Sequence, residues 1–390
     1  MNKKLITIII MTLLLSVIVT SATPINTLKK QPMLNFDSKA FILTTNYMNS
    51  SFSVMDMSSE DMENDIGETH GDDQVRYYDG KVYVVNRFGY DYIEVFDADN
   101  NFDKVFEFST GVETNPHDIA FISKDKAYVT CYDRADLLIV NPTTGKHLGT
   151  IDLSEYADED GIPEMDKMTV FNFFGITKVY VSIQRLNRTA WYAPTDTSYI
   201  LEINGNTNKI TKAITLTGVN PSTDLVLDGI FLLVGEVGSW FALDGGIERI
   251  NILTGETDGF IMTESELGGN ILDFETYPKY AGIPGLILSV VEQYFGISLF
   301  DRYNHALISD LSFNTSLVAF DSNEKTVDTV YSTNGYQLAD MTISDRGMIL
   351  LADRTPGMSG IRIFNAILGT QETTDPIDVG TYPPVHITMI

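Results

Sequence analysis

Three features of this chain predict an all-β fold made of repeated four-stranded sheets closed into a ring. The first is a phrase written most clearly from Lys126 to Leu153. Lys126-Ala127-Tyr128-Val129-Thr130 reads as one strand and Leu137-Leu138-Ile139-Val140-Asn141 as the next. A Pro142-Thr143-Thr144-Gly145 turn then leads into a further strand from His147. Asn115 to Phe121, just upstream, supplies the inner strand. The second feature is the spacing. Strands equivalent to Ala127 begin near Ala40, Val82, Ala127, Val179, Phe231, Ala306 and Met348, with gaps of 42, 45, 52, 52, 75 and 42 residues. Self-similarity at about this period is the mark of blade-by-blade architecture. The third feature is a mismatch at the two ends: the first unit lacks an inner strand, and Pro384 to Ile390 is one strand too many. An open sheet edge invites aggregation, so the surplus strand is expected to complete the first unit. The prediction is a seven-bladed β-propeller over residues 36–390, closed by its C-terminal strand.

Each element follows from local residue choice. Second strands are short, β-branched or aromatic, and bounded by turn residues. Third strands such as Tyr92 to Asp97, Gly246 to Asn251, Ser316 to Asp321 and Gly360 to Asn365 alternate as half-buried strands would. Each ends in Asp or Asn, whose side chain can bond to the backbone two residues on and start a turn. Inner strands are weaker in sequence but visible at Pro116 to Ile122, Asp166 to Phe171, Asp224 to Leu227 and Leu338 to Ser344. The gap of 75 predicts an insertion at about 268–297, with an eighth, degenerate blade as the competing account.

Upstream of the repeats, Asn2-Lys3-Lys4 is a basic n-region, Leu5 to Val19 an apolar stretch, and Thr20-Ser21-Ala22 a run of small residues. This order predicts a secretory signal over 1–22, with a linker over 23–35. The apolar run is shorter than the roughly 20 residues a spanning helix needs, so no membrane span is expected once the signal is removed. The chain is expected to be secreted, extracellular or periplasmic, with cell-surface association as the further expectation. Cys131 is the single cysteine, so the fold must be held without an intrachain disulfide.

Composition narrows the function classes. With 44% hydrophobic and 11% aromatic residues, a packed core is expected. The formal net charge of -27 argues against nucleic acid, which demands a basic stripe, and against broad docking on anionic lipid. A monomeric ring is expected, its charge serving solubility.

Lys81-Val82-Tyr83-Val84-Val85-Asn86, Lys126-Ala127-Tyr128-Val129-Thr130 and Lys178-Val179-Tyr180-Val181-Ser182, with Leu-Ile-Val-Asn and Thr-Gly-Lys phrases downstream, resemble the YVTN-repeat propellers of bacterial and archaeal surface proteins. The resemblance covers about Phe36 to Ile390 and departs from the pattern in the fifth and sixth units, where Phe231-Leu232-Leu233-Val234 lacks the Tyr. It implies a secreted or surface-attached propeller. It implies no reaction.

In a propeller, the loops before the inner strand and after the second strand share one face around the channel. Collecting residues there gives Arg87, Arg134, Arg185, Arg188 and Arg354, half of the ten arginines in the chain, with Glu236, Trp240, Trp191 and Asp196. The loops entering inner strands add His117, Asp118, Glu164, Asp166, Asp224, Asp340 and His386. Guanidinium forks suit carboxylate or phosphate groups, and aromatics can stack on a ligand. The candidate ligand site is therefore His117, Asp118, Arg87, Arg134, Arg185, Arg188, Glu236, Trp240 and Arg354. The alternative is that these Arg and Asp residues pair with one another across blades. Asp118, Asp340 and His386 occupy similar positions in three inner strands and could hold a divalent cation. No other cofactor is indicated, and no Gly-x-Ser-x-Gly elbow or Walker loop is present. The expected function is a binding module for a small anionic ligand, a glycan or a surface protein. The alternative is a lactonase-like metal-dependent hydrolase.

Overall fold

The computed structural model describes residues 39–173, 175–278 and 302–390. The signal and linker assignments and most of the predicted insertion fall outside them. The described chain forms seven sheets arranged as propeller blades, with one small hairpin between Leu186–Asn187 and Ala193–Pro194.

In order from the axis outward, the second blade is Asp73–Tyr78, Lys81–Asn86, Tyr92–Asp97 and Asp103–Ser109. The third is Pro116–Ser123, Lys126–Cys131, Asp136–Val140 and His147–Asp152, and the fourth is Met165–Phe173, Ile176–Ile183, Tyr199–Asn204 and Lys209–Thr215. The fifth is Val226–Asp228, Phe231–Glu236, Gly246–Asn251 and Glu256–Thr263. The sixth is Asn270–Pro278, Arg302–Ser309, Thr315–Asp321 and Thr326–Ser332. The seventh has three strands, Leu338–Ile343, Met348–Asp353 and Gly360–Asn365. Its outer edge is an irregular segment bonded through Ile361 to Ile377 and through Glu372 to Ile363.

The first blade closes the ring. Pro384–Met389 pairs antiparallel with Lys39–Thr45, placing Ile42 opposite Ile387 and Leu43 opposite His386, ahead of Ser50–Asp56 and Met62–Thr69. Arg354 of the seventh blade fastens this seam by donating to the carbonyls of Pro384 (2.9 Å) and Thr45 (3.0 Å).

Two sequence expectations change on contact with packing. Asn270–Pro278, which falls within the predicted insertion, is the inner strand of the sixth blade. Residues 279–301 lie outside the described residues. The third strands are buried on both sides rather than half-buried, as Tyr92–Asp97 and Gly360–Asn365 show. A blade is sandwiched between two neighbours, so each strand sends alternate side chains into opposite interfaces. In Lys126–Cys131, Ala127 and Val129 join the cluster with the second blade, whereas Tyr128 joins the one with the fourth. Seven such clusters fill the seven interfaces, the closing pair included, where Ile387 packs with Leu350 and Ile361.

The Asp and Asn residues ending the third strands do start the turns. Asn141 Oδ1 accepts from the N–H of Thr143 (2.9 Å) and Thr144 (3.1 Å), and Asn204, Asn251, Asp321 and Asn365 repeat the arrangement. Gly145 follows at φ +69°, a left-handed conformation costly for a residue with a Cβ. That is why the repeat spells Thr-Gly after its Asn.

Burial of the third strands traps the polar residue at their centre. In the seventh blade Arg362 donates to buried Asp353 (2.6 Å), and in the second Asn86 donates to Glu94 (3.3 Å). The fifth blade sets two acids there instead, Glu236 and Glu248. Burial first, then the neighbouring Glu248, push the Glu236 pKa up to about 11, so its carboxyl is protonated at neutral pH. A carboxyl whose folded pKa lies above its unfolded value loses stability as pH rises above about 4.5, because the unfolded chain ionises first. Glu236→Gln supplies a permanent donor toward Glu248. It is expected to raise stability at pH 8 by a few kcal/mol relative to wild type, on the order of 1.4 kcal/mol per unit of pKa difference expressed, and to flatten the stability–pH profile. Denaturant melts at pH 5 and pH 8 check this; parallel profiles for the two proteins would contradict it.

Candidate functional site

Each inner strand, or in the fifth blade the residue just before it, supplies a buried apolar side chain facing the preceding blade: Ile387, Val75, Ile119, Met168, Leu225, Phe274 and Met341 for blades one to seven. The residue immediately before it turns the other way, toward the axis. In the same order these are His386, Gln74, Asp118, Lys167, Asp224, Asp273 and Asp340. All seven are polar, and they form one ring around the channel.

Most of the ring is bonded in sequence. Asp340 Oδ2 meets His386 Nδ1 at 2.8 Å, and His386 Nε2 meets Gln74 Oε1 at 2.5 Å. Lys167 Nζ donates to the same Gln74 oxygen at 2.8 Å and lies 3.5 Å from Asp224. Arg76, two residues beyond Gln74, reaches across the channel. Its Nε donates to Asp118 Oδ1 (2.8 Å) and its Nη1 to Asp224 Oδ2 (2.9 Å), joining the second, third and fifth blades. Burial raises the Asp118 pKa against the pull of Arg76, whereas Asp224 is held well below the usual carboxylate range: burial opposes its charge, but Arg76 and Lys167 outweigh that. Backbone N–H groups of the next blade also use the ring, Met168 on Asp118 (2.8 Å) and Ile387 on Asp340 (2.6 Å).

A cavity of about 370 Å³ occupies the axis, within the range of small-molecule sites. Asp72, Arg87 and Ser222, all in mouth-side loops, place its upper end at the face where function is expected. Six carboxyl residues (Asp72, Asp73, Asp224, Asp273, Glu275 and Asp340) and three cations (Arg76, Arg87 and Lys167) line it, so the wall is acidic. Burial pushes the Glu275 carboxyl up to about 8, with Asp224 and Asp340 adding repulsion, and raises Asp273 well above its ordinary value by the same causes.

Of the residues expected at the site, Arg87, Asp340 and His386 line this cavity, and Asp118 sits behind Arg76. Arg87 is paired with Asp72 at 3.3 Å. His117 is buried, stacked on Tyr132 and bonded through Nδ1 to Asp166 (2.8 Å); burial, then Arg87, lower its pKa. The other arginines are fastened locally. Arg134 donates to the Val112 carbonyl, Arg185 to that of Thr197, and Arg188 to Glu164 and Asp133 at 2.7 Å each. Arg354 is the seam latch already described. Glu236 is sealed in the fifth blade, and Trp240 is exposed on the mouth face. The structure thus joins Asp340 to His386 but gives Asp118 to Arg76. Among the described residues no group of three or more His, Cys, Asp or Glu side chains is arranged to hold a metal ion. The sequence reading missed Gln74, Arg76, Lys167, Asp273 and Glu275. The signal that finds them is a polar residue directly before the buried apolar one on each inner strand.

The mouth face has a second character. Among the described residues, thirteen of twenty-one exposed large hydrophobic side chains lie in its loops. They include Tyr47, Phe88, Trp191, Trp240, Phe241 and Phe313, drawn from five blades. Phe241 and Phe313 place their rings 6.4 Å apart across a blade boundary. Trp191, at αL with φ 58°, is 96% exposed. A soluble surface usually scatters such groups; here they surround the cavity.

Neither a family model nor a curated protein sequence matches the chain. Solved structures do. One from Bacteroides fragilis, provisionally named a 6-phosphogluconolactonase, is 15% identical over 91% of this chain and 98% of its own, with a TM-score of 0.58. A similarly named structure from Bacteroides uniformis is 11% identical over 90% and 99%, also at 0.58. The dihydro-heme d1 dehydrogenase NirN is 13% identical over 94% and 79%, at 0.52. The likeness is one of fold. Seven-bladed propellers host unrelated activities, so function rests on the site.

Among the described residues no helix is long and apolar enough to cross a membrane.

Proposed function

We propose that this protein is a secreted or cell-surface binding module of the YVTN-repeat type that engages its target with the channel-mouth face. The observation that carries the reading is the gathering of exposed aromatic side chains around a polar axial cavity. Aromatic anchors supply rigid contact area at low entropic cost and dominate recognition surfaces. A ring whose blades are fixed by seven apolar interfaces gives those loops a stiff base. The target class is a surface glycan or a surface protein.

The test is retention of the purified protein on envelope material from the producing cells. The triple variant Phe88→Ser, Trp191→Ser, Phe241→Ser removes three residues at least 80% exposed, so melting should stay within about 0.5 kcal/mol per site. Retention should fall at least about tenfold, roughly 1.4 kcal/mol. Undiminished retention would sink the reading.

A second reading, a hydrolase acting within the cavity, is supported by one observation. Glu275 is pushed up to about 8 while nearby Asp224 is held low, and divergent carboxyl pairs of this kind serve acid and base roles. The Bacteroides neighbours carry a lactonase name, but at identities that transfer only fold. Turnover of a lactone panel, with and without added divalent cations, that is lost in Glu275→Gln would favour the enzyme.

A further inference from the structure

Followed member by member, the axial ring is bonded everywhere except at the sixth blade. Asp273 and Glu275 stand two residues apart on Asn270–Pro278, on one side of the strand, and both line the cavity. Among the described residues neither forms an ion pair or a hydrogen bond with another side chain; Arg76 acts on Glu275 only from a distance, and the backbone donor near each is the N–H of the following residue. Every cation in the wall is already engaged: Arg76 with Asp118 and Asp224, Arg87 with Asp72, Lys167 with Gln74 and Asp224. An anion would therefore find no unpaired cation here, while a cation would find two unpaired carboxyls.

A second observation, on a different blade, specifies more than charge. Gln74 lines the same cavity, is fully buried, and leaves its Nε2 without a partner among the described residues. Its orientation is fixed, because Lys167 Nζ requires the amide oxygen where it stands. A buried amide donor left unmade costs about 1–3 kcal/mol, which a ligand oxygen would recover.

We propose that the axial cavity binds a small organic amine that also carries hydroxyl oxygens, an amino sugar or amino alcohol. Its ammonium would lie between Asp273 and Glu275, and one of its oxygens would accept from Gln74 Nε2. This rests on the mouth face being the binding face and adds the class of the small ligand. A bare divalent cation fits less well, since Ca²⁺ takes six to eight oxygens and no three acidic or His groups converge among the described residues. An ammonium needs only two or three acceptors at hydrogen-bond distance. The raised pKa values of both carboxyls agree with the geometry: burial first, then the neighbouring carboxyls, favour the protonated forms, and no paired cation offsets them.

The experiment is calorimetry on the intact protein at neutral pH with glucosamine, N-acetylglucosamine, glucose, gluconate and calcium chloride. Glucosamine should bind at least about tenfold more tightly than glucose or N-acetylglucosamine. The double variant Asp273→Asn, Glu275→Gln should lose that preference while melting no lower than wild type, since it removes two repelling acids. The wild-type probe series stands by itself if the variant misfolds. Equal binding of glucose and glucosamine, preference for gluconate, or binding of calcium alone would each overturn the proposal. Retention through the aromatic rim with no small ligand bound would overturn it while leaving the mouth-face reading intact. Loss of both would end both.

Discussion

A chain lacking Pro384–Ile390 is expected to aggregate or to fail to fold. The deletion takes away the whole inner strand of the first blade, with its pairing from Ala40–Met389 to Thr44–Pro384. It opens the interface in which Ile387 packs with Ile42, Leu350 and Ile361, and it strips His386 from Asp340 and Gln74. The strand left at the edge, Lys39–Thr45, reads Lys-Ala-Phe-Ile-Leu-Thr-Thr and is buried along almost its whole length. An apolar edge with unpaired N–H and C=O groups is a template for further strands. Size-exclusion chromatography and circular dichroism of the truncated chain check this. A monomer that melts at the wild-type temperature would disprove closure by this strand.

Arg76→Met should be the most damaging single substitution in the channel. Asp118 has no exposed side-chain surface, and among the described residues Arg76 is the cation paired with it, with Lys167 acting more weakly from further off. Removing one member of a buried pair leaves the other charge uncompensated, a cost of about 3–5 kcal/mol. The Asp224 contact adds little to that figure, because 40% of that side chain is open to the cavity and screened. The pH dependence gives the mechanism a signature. Without Arg76 the already raised Asp118 pKa rises further, so stability falls as pH climbs above the unfolded value of about 3.9. The variant should therefore recover on mild acidification, and Arg76→Met, Asp118→Asn should recover part of the loss at neutral pH. Melts at pH 5 and 7.5 measure both; a loss independent of pH would show that Arg76 acts through packing alone.

The sequence made strands and their order legible because each is bounded by turn chemistry that must be written locally. Asn141 with Gly145, and its counterparts in other blades, announce the turns whatever lies around them. Closure was legible for the same reason, as a surplus strand has to go somewhere. The side-chain environment was harder. Glu94, Glu248 and Arg362 sit at positions that look solvent-facing by alternation and are buried because a second sheet covers them. The arginines drew attention by their number in the mouth loops, yet Arg134, Arg185 and Arg354 spend their donors on backbone carbonyls. Arg76 was overlooked because its partners Asp118 and Asp224 lie on other blades, which no local window can reveal. Asp273 was absorbed into the apparent insertion, so the ring lost its sixth member.

The seam between the chain's two ends also sets a schedule. Ser53 and Val379, 326 residues apart, share a hydrogen bond of 2.8 Å, and Arg354 grips Thr45 across 309 residues. Contacts at such separation form late, after the cost of closing a very long loop. During synthesis the first blade therefore waits as a three-stranded sheet, and the ring cannot lock until its final strand has emerged. Until then the channel exists only as an open arc, and His386 meets Asp340 and Gln74 in the same step that seals the sheet.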